Sequence, residues 1–400
     1  MYTWGKFIKN NKLLLSYGFF FNFFSSFGQT FFISLFVPYW IADIHISKSE
    51  FGTMYGLISV ASALTLPLIG RYIDFIPLRK FSIIIFIGLI ISVFILSGAN
   101  SFLFLLGGLF LVRLLGQGLM THTSSTSIAK LFDKNRGKAL GFTSLGHPFA
   151  QFILPLLFAF SCTLVDWRIS LILLAVLSLA IMLPLIARIP NEKADKELKT
   201  SRSKKIGMRD GSHFLLTSKF WLIALNIFVM PFLGTAIILY QYTIAESRFW
   251  DSSWVVFSFS FYAIFSGFSL FFSGALIDRF SGIRLFAYYL LPALVGFIAM
   301  LIFNDKWIFP VFYALLGISS GLGSTIKTAV QAEIYGTGRL GEVRSYLSTI
   351  LVLGTAAGPP VFGYLLDIDA PMNYIMSGAA ILIFVIFITS LLLNNKPNHG

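Results

Sequence analysis

Twelve long apolar stretches follow one another along the 400 residues of this chain. A helix needs about 20 apolar residues to cross a bilayer, and each stretch is long enough to do so. Charged residues make up only 12% of the chain, about half the fraction that is usual in soluble domains. The sequence therefore predicts an all-α membrane protein with twelve transmembrane helices. The predicted spans are Leu13–Trp40, Phe51–Ile73, Phe81–Ala99, Phe102–Ala129, Ala139–Phe160, Ile169–Ile189, Phe220–Ile244, Trp254–Ile277, Leu285–Phe303, Trp307–Ala332, Tyr346–Leu366 and Met372–Leu393.

Lysine and arginine are distributed unevenly between alternate loops. If the amino terminus is cytoplasmic, 24 of the 30 cations fall in cytoplasmic segments and 4 in external loops. The 17 acidic residues are split nearly evenly, 9 to 8. Insertion responds to cations and much less to acids. We therefore expect a multi-pass protein of the cell (inner) membrane with both termini in the cytoplasm.

This orientation can be tested with reporter fusions. Fusions at Lys205 and Lys396 are expected to report a cytoplasmic location, because both positions lie in segments that the overall cation distribution places inside. Fusions near Lys48 and Asp251 are expected to report an external location. A cytoplasmic signal from the fusion near Lys48 would contradict the twelve-span arrangement.

Other classes of protein fit the sequence less well. A net charge of +13 could indicate nucleic-acid binding, but that function requires cations clustered on one soluble face. Here the cations lie between apolar stretches, so the lipid bilayer is the expected partner and nucleic acid is not. The single cysteine, Cys162, cannot form a disulfide framework. The sequence contains no nucleotide-binding loop, metal-ligand cluster or nucleophile–base arrangement, so we expect no enzyme activity, no cofactor and no metal.

One long polar segment divides the apolar stretches six and six. It predicts an amino-terminal six-helix bundle at residues 1–189, a cytoplasmic linker at 190–219 and a carboxy-terminal six-helix bundle at 220–400. The cations of the linker favour a solvated segment facing the membrane surface. A regulatory docking site is the alternative interpretation.

The two halves carry the same markers in the same order. Gly70 and Asp74, after the second span, correspond to Gly274 and Asp278, after the eighth, at an offset of 204 residues. Offsets of 203 to 205 residues also relate Gly118 to Gly321, Arg136 to Arg339, and Pro155 to Pro360. A parallel duplication of six helices allows two similar bundles to rock around a central site, which gives alternating access.

Several motifs carry a family resemblance over the whole chain. The loop after the second span has Gly70, Asp74, Arg79 and Lys80, and the corresponding second loop has Gly274, Asp278, Arg279, Gly282 and Arg284. The fourth span contains Arg113-Leu-Leu-Gly116-Gln-Gly118, and the eleventh contains Gly354-Thr-Ala-Ala-Gly358-Pro359-Pro360. This pattern resembles the major facilitator superfamily, with a looser similarity to its monocarboxylate and oxalate/formate carriers. Phe75 and Pro77 depart from the loop pattern of the family.

The resemblance implies the major facilitator fold, a usually monomeric state and roles for the loop residues. In this family such loops hold the cytoplasmic gate shut. The implied gating residues are Asp74, Arg79, Asp278, Arg279 and Arg136. A plain surface charge at the end of a helix is the alternative for Asp74 and Asp278.

Two cations lie inside the predicted spans. Arg113 is near the middle of the fourth span, and Lys327 is about six residues from the inner end of the tenth. Cations inside a membrane usually face water or a pathway, although Lys327 is close enough to the surface to snorkel. With the repeat offset of 203 residues, Lys327 corresponds to Ser124 in the first half. Ser124 lies eleven residues after Arg113, so the two positions are on the same face of a helix. Both cations are therefore predicted to bind substrate.

Polar residues on the first and seventh spans extend this prediction, because the resemblance implies that spans one, four, seven and ten line the cavity. In the first span, Asn22, Ser26 and Gln29 have helical spacing, which predicts one polar stripe. The predicted substrate-binding residues of these two spans are Asn22, Gln29, Asn226, Tyr240 and Gln241. His147, in the fifth span, could titrate near neutral pH and couple protons to transport. A hydrogen-bonded packing role is the alternative for His147.

Three functions remain open at this stage. The first is a secondary transporter for a small organic anion, carboxylate-like, that works by rocker-switch exchange or proton symport. The second is a transporter or exporter of a neutral amphipathic compound or drug. The third is a membrane sensor on the same fold that transports nothing. All 17 acidic residues lie in loops or at helix ends, which disfavours a cationic substrate and favours the first function.

Overall fold

A computed structural model describes residues 4–132, 135–189 and 212–393 of the chain. Within these ranges, eleven helical stretches are long and apolar enough to cross a membrane. Large apolar side chains are exposed on them, including Leu103 and Phe271, as lipid contact requires. The predicted all-α membrane fold is confirmed. Most of the predicted linker, residues 190–211, lies outside the described residues.

The first compact unit comprises Met1–His45 and Leu57–Gly207. Two short helices come first, before the helical structure is interrupted at Ser25–Gly28, and later helices pack against them. The helices are α1 (Trp4–Asn10), α2 (Lys12–Phe24), α3 (Thr30–Ile33), α4 (Val37–Ile44), α5 (Lys48–Gly70, of which residues from 57 belong to this unit), α6 (Leu78–Ser97), α7 (Phe102–Val112), α8 (Thr121–Leu131), α9 (Arg136–Ser144), α10 (Gly146–Cys162) and α11 (Trp167–Ala187).

The second compact unit comprises Ile46–Gly56 and Met208–Gly400. It therefore includes the first turns of α5. Its other helices are α12 (Ser218–Leu239), α13 (Gln241–Glu246), α14 (Ser252–Phe280), α15 (Gly282–Tyr288), α16 (Leu291–Ile302), α17 (Ile308–Gly336), α18 (Val343–Asp367) and α19 (Met372–Leu391). Gly336 has a φ of +67°, which ends α17 in a conformation that glycine adopts without strain.

The first apolar stretch is not the single helix that its length suggests. After α2 the chain forms a 3₁₀ turn at Ser25–Gly28, and Gln29 is extended, with φ −86° and ψ 149°. Serine and glycine are weak helix formers, and neighbouring helices hold this break in place. As a result Gln29 does not continue the helical spacing of Asn22 and Ser26, and the predicted polar stripe is interrupted.

An aspartate precedes one helix in each unit and caps its amino terminus. Asp166 accepts a hydrogen bond from the backbone N of Arg168 at 2.8 Å, and Asp251 accepts one from that of Ser253 at 2.7 Å. Such caps satisfy amide groups that have no partner inside the helix. Hydrogen bonding from Ser253 holds the pKa of the Asp251 carboxyl below its usual value.

Candidate functional site

Arg113 is buried within the first unit, with only 3% of its surface exposed. It begins a π-helical segment, Arg113–Met120, that joins α7 to α8. Nη2 donates to Ser59 Oγ at 3.1 Å, and Nη1 donates to the carbonyl of Gly28 at 3.3 Å. Short π-helical segments are frequent at functional sites because they shift side chains out of regular register.

The carbonyl that Arg113 contacts belongs to the break in the first stretch. At such a break, carbonyl groups lose their helical partners and need others. Gly28 and Gly116 allow the break to approach the π-helical segment closely. A Cβ added at Gly28 would lie 2.6 Å from the backbone N of Gln117, and one added at Gly116 would lie 2.8 Å from the N of Gly28. The two glycines therefore set the distance between the break and Arg113.

The remaining predicted residues of the first unit differ in their surroundings. Asn22 is buried, and its Nδ2 donates to Ser124 Oγ at 2.9 Å and to the carbonyl of Thr143 at 3.0 Å. These bonds tie α2 to α8 and α9. Gln29 is half-buried directly after Gly28. The ring of His147 is stacked on that of Phe31, with centroids 5.9 Å apart.

Lys327 is half-buried on α17 in the second unit. Its Nζ lies 5.4 Å from the centroid of the Tyr289 ring, within cation–π range. The Tyr289 hydroxyl donates to Asn226 Oδ1 at 2.6 Å, and Asn226 Nδ2 donates to Ser390 Oγ at 2.8 Å. Among the described residues Lys327 forms no ion pair. The predicted residues Lys327 and Asn226 are thus linked through Tyr289, which sequence reasoning missed.

Tyr240 and Gln241 are both buried between protein groups. The Tyr240 hydroxyl is directed at the carbonyls of Lys48, 2.7 Å away, and Pro359, 3.2 Å away. Gln241 Oε1 accepts from the Tyr313 hydroxyl at 3.0 Å. Neither contact was foreseen, because the partners are distant in sequence.

The start of α5 has an unforeseen partner in Asp367, at the end of α18. The two carboxylate oxygens accept from the backbone N of Lys48 at 3.0 Å and of Ser49 at 2.7 Å. Gly52 permits this close packing, since an added Cβ would lie 2.6 Å from the carbonyl carbon of Pro359. A carboxylate at a helix amino terminus stabilises both the free amides and the helix dipole.

The predicted gating residues differ in their exposure and in their partners. Asp74 is exposed and forms an ion pair with Lys130, at the end of α8. Arg79 is half-buried, while Arg136, Asp278 and Arg279 are exposed. The partner of Asp74 is therefore a residue of the fourth span, not one of the arginines of the following loop.

Lys130 has a counterpart in the second unit that the repeat register could have revealed. Glu333 lies 203 residues later. It accepts hydrogen bonds from the backbone N of Gly282 at 2.7 Å and of Ile283 at 2.9 Å, and so caps α15. At corresponding positions of the repeat, Lys130 therefore pairs with a carboxylate in the first unit, and Glu333 binds a helix amino terminus in the second.

Two helical units with eleven candidate membrane spans among the described residues define a multi-pass membrane protein. The family model of the Major Facilitator Superfamily matches residues 18–304 and 243–400. The chain therefore belongs to the Major Facilitator Superfamily, and it is a transporter, not an enzyme. No curated protein sequence matches the chain.

Solved structures of transporters share its fold. A bacterial homologue of the human lysosomal transporter Spinster, inward-facing and occupied, has 16% identity and a TM-score of 0.67, covering 98% of each chain. The nucleoside transporter NupG has 11% identity and a TM-score of 0.71, covering 96% of this chain and 99% of its own. A D-xylose–proton symporter has 13% identity and a TM-score of 0.69, covering 96% and 97%. At these identities the likeness shows the fold alone.

Proposed function

We propose that this protein is a secondary transporter of a small organic anion that carries a carboxylate. The observation that supports the proposal is Lys327, a half-buried ammonium that forms no ion pair among the described residues. A cation inside a membrane is costly unless water or a counter-charge satisfies it. An anionic substrate supplies that counter-charge.

Arg113 contributes a second positive charge, in the first unit. Its guanidinium can hold a carboxylate through two parallel hydrogen bonds, which a lysine cannot do. Gln29 follows directly after Gly28, whose carbonyl Arg113 contacts, and is proposed to add a hydrogen bond to the substrate. We assign Asn22, Asn226, Tyr240 and Gln241 to supporting roles, since each has a protein partner.

The proposed transport cycle is alternating access, driven by exchange of anions or by proton symport. Loading an anion lowers the cost of enclosing the cations, which favours exchange over return of the empty carrier. In symport the proton would reside on His147 or on the substrate. The Asp74–Lys130 pair, with Arg79, Arg136, Asp278 and Arg279, is proposed to control the cytoplasmic gate. We place a monomer in the cell (inner) membrane with both termini cytoplasmic.

Counterflow in proteoliposomes tests this proposal. Labelled carboxylates are expected to exchange through the wild-type protein, and unlabelled carboxylates should compete better than neutral analogues. Lys327→Gln and Arg113→Gln are each expected to reduce both binding and flux. Lys12→Gln removes the same charge at an exposed position and serves as the control.

Two outcomes would contradict the anion assignment. Competition by neutral analogues alone would indicate a carrier of neutral compounds, and absence of any flux would favour a sensor. If Lys327→Gln binds and carries the anion normally, the lysine is a surface cation and the proposal loses its main support.

A further inference from the structure

Gln331 lies one helical turn beyond Lys327 on α17 and is almost completely buried, with 6% of its surface exposed. Its carboxamide oxygen is shielded from solvent and accepts no hydrogen bond from the described residues. Buried polar atoms nearly always have a partner. Leaving one unpaired costs the full desolvation of the group. An acceptor in this position points to a missing donor.

Lys327 and Gln331 share one face of α17. Residues four apart in a helix have Cβ atoms about 5–6 Å apart on the same side. Their chemistry is complementary, because an ammonium only donates hydrogen bonds whereas the unpaired carboxamide oxygen of Gln331 accepts one. A single small ligand that satisfied both would need an anionic oxygen and a donor group a few ångströms apart.

We propose that the carboxamide oxygen of Gln331 accepts a hydrogen bond from a hydroxyl group next to the carboxylate of the substrate. The protein would then bind hydroxycarboxylates more tightly than the corresponding unsubstituted acids. The inference rests on the proposed anion transport and narrows its substrate class. A hydroxyl fits better than an amino group, since an ammonium beside Lys327 would place two like charges together. The Tyr289 ring, 5.4 Å from the Lys327 Nζ, restricts the position of the ammonium.

The expected selectivity follows from the unpaired oxygen. A substrate hydroxyl that reaches this oxygen supplies the missing hydrogen bond, whereas an unsubstituted acid leaves the oxygen unpaired, as it is in the free protein. We expect hydroxy acids to bind about tenfold more tightly, or better, than their unsubstituted analogues. The lysine contributes to both ligands equally, so it sets affinity and not this preference.

Binding of matched acids to the purified full-length protein tests the inference. The probes are 2-hydroxybutyrate against butyrate and malate against succinate, with affinities taken from ligand-dependent shifts in thermal unfolding. Gln331→Met keeps the length of the side chain and removes the acceptor. It is expected to abolish the preference while leaving the affinity for butyrate or succinate unchanged. Gln151→Met, at a half-buried position on α10, is the matched control and should retain the preference.

The outcomes separate this inference from the proposed function. Equal binding of both acids in the wild type, or a preference that survives Gln331→Met, would overturn the role of Gln331 while leaving anion transport intact. If no carboxylate of either pair binds, the proposed function itself fails and the inference with it. Lys327→Gln is expected to weaken both members of each pair by the same factor.

Discussion

Replacing Gly28 with alanine is expected to destabilise the protein by about 1–3 kcal/mol and to weaken anion binding. The added Cβ would meet the carbonyl of Val112 and lie 2.6 Å from the backbone N of Gln117. Both are backbone atoms, so the break and the π-helical segment must move apart. That movement would also pull the Gly28 carbonyl away from the Arg113 guanidinium. Thermal unfolding and anion binding of the purified variant measure the two effects.

Gly107→Ala is the matched control for this substitution. Gly107 lies on α7, and a Cβ added there has no atom within 4 Å. Alanine is favoured over glycine inside a helix by about 1 kcal/mol, so this variant should be slightly more stable than the wild type. The two substitutions are thus expected to have opposite signs. A Gly28→Ala protein that unfolds and binds like the wild type would show that the close approach is unimportant.

The second large effect is expected from Asp367→Asn. The carboxylate accepts from two backbone amides at the start of α5, whereas an asparagine has one acceptor oxygen and no charge. Loss of such a cap costs about 0.5–2 kcal/mol, which corresponds to a roughly 2- to 30-fold larger equilibrium constant for local opening. Hydrogen–deuterium exchange of the peptide covering residues 46–56 should increase by this factor.

Asp369→Asn makes the same chemical change two residues later and is the control. Asp369 has a φ of +52°, a conformation that asparagine tolerates well. Exchange of residues 46–56 should not change in this variant. Equal exchange in Asp367→Asn and the wild type would mean that α5 is held by its glycine packing and not by the carboxylate.

Sequence alone predicted the membrane class and the fold. Hydropathy is a sum over neighbouring residues, so the apolar stretches could be recognised without knowing any contact between them. The motif residues Gly70 and Asp74 were likewise recognisable because the second half of the chain repeats them as Gly274 and Asp278. The cations Arg113 and Lys327 could also be identified from the sequence, because each is a charged residue within an otherwise apolar stretch.

Tertiary structure decided what these residues contact. The break at Ser25–Gly28 depends on packing against the π-helical segment, and local propensity alone did not locate it. The partner of Asp74 is Lys130, 56 residues away.

Contacts within the second unit were equally invisible in the sequence. Tyr289 links Lys327 to Asn226, and Asp367 reaches Lys48 across 319 residues of sequence. Hydrogen-bond partners are fixed by which helices pack together and in what rotation. That information is absent from the composition of any single helix. The sequence by itself determined that the chain is an all-α membrane protein and which cations interrupt its apolar stretches, because both are local properties of the chain. Only the packing of the helices determined which groups those residues contact and that the first apolar stretch is broken at Ser25–Gly28.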